Sequence, residues 1–80
     1  MPNTVDELVM VRVTVPAQEL EDVLDMLAGL RFPVNPELFP SGGETMIEFP
    51  AYGHQLKEVY SVLPEHATVE TIKMFAEIAL

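Results

Sequence analysis

The sequence predicts an α+β fold: one antiparallel sheet of four strands, covered on a single face by two helices, in the chain order β-α-β-β-α-β. Three observations point to it. Leu8-Val9-Met10-Val11-Arg12-Val13-Thr14-Val15 has valine at every odd position, a period-two pattern that presses one face of a strand into a core. Residues 17–28 and 53–63 instead space their apolar side chains as helices do. Ser41-Gly42-Gly43 separates two further strand-like runs with residues that favour a hairpin turn.

In chain order, residues 1–7 are polar and aperiodic and are expected to form a flexible lead-in. The valine strand ends at Pro16, and a helix is expected from Pro16 or Ala17 to Ala28. Leu20, Val23, Leu24 and Leu27 lie on its inner side, with Glu19, Glu21, Asp22 and Asp25 opposite. Proline suits a first helical position, early acids suit the positive end of the helix dipole, and Gly29 is a natural stop. Residues 30–39 contain Pro33 and Pro36, with Pro40 just beyond. Proline gives no N–H to a ladder, so any strand here is short and at the sheet edge. Residues 44–49 alternate again, with Thr45, Ile47 and Phe49 opposed to Glu44, Met46 and Glu48. The second helix covers residues 53–63, with Leu56, Val59, Tyr60 and Leu63 inward and Pro64 closing it. A last strand is expected over residues 67–75. Its even row, Ile72 and Met74 continuing to Ala76, Ile78 and Leu80, is longer and is expected to face inward. Residues 76–80 form a tail or a strand extension.

Short connections and right-handed crossovers favour the sheet order 4-1-3-2, a ferredoxin-like plait over residues 8–75 of a single domain spanning 1–80. That order puts the valine strand inside the sheet. The expected core is Val9, Val11, Val13, Val15, Leu20, Val23, Leu24, Leu27, Ile47, Phe49, Leu56, Val59, Tyr60 and Leu63.

Composition narrows function. At 80 residues a single core is marginal, which makes burial against a partner, a homodimer first of all, an expectation. Without cysteine there are no disulfides, thiolate metal sites or thiol nucleophiles. Four basic against thirteen acidic residues give a formal net charge of -9, a field that repels phosphate backbones and anionic lipids, so neither nucleic acid nor membrane is an expected partner. The acidic opening and the lack of a long apolar run make the cytoplasm the expected location.

The uncovered face of the sheet is the most informative surface. It is expected to carry Leu8, Met10, Arg12 and Thr14, then Met46 and Glu48, with Thr71 and Lys73 from the last strand. Two readings follow. Arg12 holds a ligand carboxylate, or Leu8, Met10, Met46, Glu48 and Lys73 form a dimer interface in which Arg12 and Glu48 satisfy each other. His54 and His66 sit at opposite ends of the second helix, about 15 Å apart at 1.5 Å per residue, too far to share an ion within one chain. Asp22 and Asp25 lack a third ligand, so neither metal nor cofactor is expected. Ser41 and Ser61 have no histidine at suggestive spacing, and Ser41-Gly42-Gly43 has no lysine and opens no helix, so it is not a phosphate cradle. No enzymatic activity is expected.

The order β-α-β-β-α-β serves several families whose motifs can be checked. RNA-recognition domains need basic and aromatic residues where this chain has Leu8, Met10, Met46 and Glu48. Heavy-metal-associated domains need paired cysteines, and acylphosphatase-like enzymes an arginine in the loop where Pro16-Ala17-Gln18 stands. The stretch VRVTVPAQELEDVLDMLAGL, from Val11, resembles the first strand and helix of ACT-like regulatory domains, and Phe32-Pro33-Val34-Asn35 lies where these lead into their second strand. The resemblance spans residues 8–75. It implies a non-catalytic regulatory or sensor module, homodimeric, with an amino acid or small acid bound at the loop Pro16, Ala17 and Gln18; the chain departs from the family here, since many ligand-binding members carry a glycine that lets a ligand approach the backbone. An alternative of another class is a protein-interaction subunit that docks its acidic helix face on a larger basic partner.

Overall fold

The computed structural model describes residues 7–73; the expectations for residues 1–6 and 74–80 lie outside the described residues. Strand β1 (Leu8–Pro16) is followed by a 3-10 turn (Ala17–Glu19) and helix α1 (Leu20–Ala28). Strands β2 (Glu37–Ser41) and β3 (Glu44–Tyr52) form the hairpin, and a second 3-10 turn (Gly53–Gln55) opens helix α2 (Leu56–Val62) before strand β4 (Thr68–Lys73). All pairs are antiparallel and the sheet order is β2-β3-β1-β4, so the valine strand is interior and the fold is a ferredoxin-like plait.

Burial follows the alternation. Val9, Val11, Val13 and Val15 are buried while their even neighbours are not, because the helices bring Val23, Leu27 and Val59 onto that one face. From β3, Ile47 and Phe49 join the same cluster, and Leu20, Leu24, Leu56 and Leu63 pack around it half-buried. Burying each large side chain contributes roughly 1.5–3 kcal/mol. The row in β3 runs further than residues 44–49, with Thr45 and Ala51 also buried and the strand continuing to Tyr52. Pro50 is tolerated there because β2 reaches only to Glu48, so past that point β3 is itself an edge.

Three expectations are corrected. Tyr60 is 49% exposed. The buried stripe of α2 runs through Leu56, Val59 and Val62–Leu63, and a residue one position after Val59 is turned about 100° away, where a phenol keeps its hydroxyl in water. In β4 the inward row is the odd one: Val69 pairs with Val13 and packs on the core, while Ile72 pairs with Met10 on the opposite face. The longer even row owed its length to residues past Lys73, and in a strand exposed along nearly its whole length burial exerts little pull on the phase. Finally, Glu7 is anchored, its carbonyl accepting the Gly53 N–H at 2.9 Å and its carboxylate meeting Lys73 at 3.7 Å.

The hairpin loop is Gly42-Gly43, between the paired Ser41 and Glu44. Gly42 has φ +62° and Gly43 has no positive φ, the pattern a type II′ turn requires. A Cβ at either position meets nothing within 4 Å, so substitution there reads backbone strain alone. Gly42→Ala is expected to cost about 1–2 kcal/mol in urea unfolding, while Gly43→Ala stays within about 0.5 kcal/mol. Equal effects would show that the turn does not hold Gly42 left-handed.

Candidate functional site

Cross-strand register decides which side chains share the face that no element covers among the described residues, because partners in an antiparallel pair project to the same side. Leu8 faces Tyr52. Met10 lies between Pro50 and Ile72, Arg12 between Glu48 and Glu70, and Thr14 between Met46 and Thr68. On the outer strand β2, Glu37 flanks Glu48 and Phe39 flanks Met46. The face therefore carries a charged row, Glu37-Glu48-Arg12-Glu70, running across the sheet between an apolar row, Pro50-Met10-Ile72, and a mixed one, Phe39-Met46-Thr14-Thr68.

The charged row has an internal order. The Arg12 Nε–H donates to Glu48 Oε2 at 2.6 Å, and Arg12 Nη1 lies 3.6 Å from Glu70 Oε1. Arg12 is thus hydrogen-bonded through Nε to one carboxylate of the sheet and lies within ion-pair distance of a second. Glu48 is the more sheltered partner, its side chain 15% exposed against 59% for Glu70. Glu37 is exposed and has no cation against it among the described residues. Around the row, Leu8, Met10 and Met46 are half-buried, while Phe39, Tyr52 and Ile72 are 41%, 45% and 39% exposed.

Of the residues singled out in the sequence, Leu8, Met10, Arg12, Met46 and Glu48 come together on this face. Lys73 and Thr71 do not. Lys73 pairs with Val9 and Thr71 with Val11, which turns both toward the helix side; this correction follows from the phase of β4. Pro16 shares the face but lies four residues from Arg12, about 13 Å along an extended strand, so the two do not form one pocket. Ala17 donates its N–H to the Gly43 carbonyl at 2.9 Å, tying the loop to the hairpin, and Gln18 is exposed. Sequence reasoning missed Glu37, Phe39, Glu70, Ile72 and Tyr52. The signal for Tyr52 was present, since the alternation of β3 continues through Ala51; for β2 and β4 no burial pattern marked the phase.

A hollow of about 310 Å³ opens on the same face beside β2, lined by Met10, Asn35, Pro36, Glu37, Glu48 and Pro50. A second, shallower one of about 350 Å³ lies at α2, between Arg31, His54, Lys57, Glu58 and Ser61, where the Arg31 N–H donates to Glu58 Oε2 at 2.8 Å. His66 Nε2 is 2.6 Å from Glu19 Oε1, joining the end of α2 to the start of α1, and His54 stacks on Tyr52 with ring centres 6.1 Å apart. Among the described residues no three His, Asp or Glu side chains are arranged to hold a metal ion, and no helix is long and apolar enough to cross a membrane. In comparison with known proteins, the sequence matches no family model and no curated relative.

Proposed function

We propose that the chain is a non-catalytic module of regulatory type, ACT-like in organisation, that works by docking the open face of its sheet on another protein chain. The observation that carries this reading is the pairing of apolar rows with a charged row already ordered by the Arg12–Glu48 bond. Exposed Tyr52 and Ile72 beside half-buried Leu8 and Met10 on one side of the charged row, and exposed Phe39 beside half-buried Met46 on the other, make two apolar patches of the kind that marks interaction sites. Aromatic residues, methionine and arginine are also the types enriched at interfaces. A small domain gains most from covering such a face, and on area alone a second copy is the simplest occupant.

Sedimentation velocity at low and at high salt tests the face itself. Near 1 M salt the Debye length falls to about 3 Å, which removes charge repulsion and leaves apolar contact to act. Under that condition the chain is expected to self-associate, and the double variant Phe39→Ser/Ile72→Ser to remain monomeric. A double variant that associates as well as the parent overturns the reading, and a chain that stays monomeric at every salt concentration overturns its homodimeric form.

A further inference from the structure

We infer that the occupant of the open face is an unlike protein chain presenting arginine or lysine among apolar side chains, and not a second copy. The inference rests on the docking reading above and goes beyond it by fixing the partner's chemistry.

The charged row holds three carboxylates and one guanidinium, an excess of two negative charges between the apolar patches of the face. Sheets that pack face to face lie about 10 Å apart, and a docked interface excludes water, so uncompensated charges interact there far more strongly than on a free surface. Two copies joined symmetrically through this face would set six carboxylates against two guanidiniums. Nor does a second copy have a cation to spare. Arg12 is hydrogen-bonded to Glu48, and Lys73 projects to the helix side beside Glu7. Arg31 and Lys57 line the hollow at α2. Bringing that hollow onto the open face would be a head-to-tail contact, which builds rings or filaments instead of a closed dimer.

An unlike partner with cations at two places meets the row as it stands. Glu37 and Glu70 lie on the two outer strands, one without a cation among the described residues and the other only loosely held at 3.6 Å. Between them the Arg12–Glu48 pair is already satisfied. The rows on either side, Met10 with Pro50 and Ile72, and Met46 with Phe39, require apolar neighbours for those cations.

The test uses the full chain and three synthetic decapeptides that alternate leucine with arginine, with glutamine or with glutamate, binding being read by fluorescence anisotropy. The Leu/Arg peptide is expected to bind, and Glu37→Gln/Glu70→Gln to weaken it by about tenfold or more. The control Glu21→Gln/Asp25→Asn removes equal charge from the outer side of α1 and is expected to change binding by no more than about twofold. Equal loss in both double variants, or equal binding of the Leu/Gln peptide, overturns the inference. So does a low-salt homodimer that Phe39→Ser/Ile72→Ser dissociates, since the face would then belong to a second copy. The two readings fail differently: if Phe39→Ser/Ile72→Ser abolishes peptide binding while Glu37→Gln/Glu70→Gln does not weaken it, the docking face stands and only its preference for a cation falls. If no peptide binds, or binding ignores Phe39→Ser/Ile72→Ser, both fall.

Discussion

Phe49→Ala is expected to remove about 3–5 kcal/mol of stability. Phe49 is 1% exposed and is among the largest side chains fully enclosed by the cluster, with Val11 opposite it on β1 and Ile47 beside it on β3. Truncation forfeits the transfer free energy of a ring and leaves a cavity that a sheet with helices on one face closes only in part. Against a total of roughly 4–12 kcal/mol for a domain of this size, that loss is a large fraction. At about 4–8 °C per kcal/mol the melting temperature should fall by more than about 12 °C. Phe39→Ala is the matched control. The same residue type at 41% exposure on the open face should cost no more than about 1 kcal/mol. Calorimetry on both variants decides the matter: comparable losses would mean that Phe39 and Phe49 do not lie on opposite faces of the sheet.

Arg12→Met should cost about 2 kcal/mol, between the small value of an exposed ion pair and the larger one of a buried pair. The guanidinium is about one-third exposed, but Glu48 is at 15%, so its carboxylate would be left sheltered and without its cation between Glu37 and an equally unpaired Glu70. Most of the expected loss comes from that stranded acid. Arg12→Met/Glu48→Met should therefore recover most of the stability, because two apolar side chains of similar length add to the rows of Met10 and Met46. A double-mutant cycle by urea unfolding measures the coupling. If the double variant loses as much as the sum of the single ones, Arg12 and Glu48 act independently and the row is not an ordered unit.

Much of the fold was legible because burial acts through period. Four valines at alternate positions leave a strand one way to bury them, and Leu20, Val23, Leu24 and Leu27 leave a helix one inner side. Pro36 and Pro40 around β2 named its place, since the strand that lacks N–H donors must sit at an edge. Where burial is weak, the signal is weak too. β4 and β2 are exposed along nearly their whole length, and it is there that the inner row was misplaced or left undecided. That one slip put Lys73 on the open face and hid Glu70 and Ile72 from view, since a shift of one residue exchanges the two sides of a strand. Half of the candidate site was readable, the half carried by the central strands.

By itself, the sequence determined the elements, the interior position of the valine strand, the single helix-covered face and the strongly acidic character of the chain, because each follows from local spacing or from composition. Only the tertiary structure decided the register between strands, and with it the row Glu37-Glu48-Arg12-Glu70 and the apolar rows beside it. Pairing is set where hydrogen-bonded ladders and a shared core lock distant segments together, and no local pattern in an exposed edge strand carries that information.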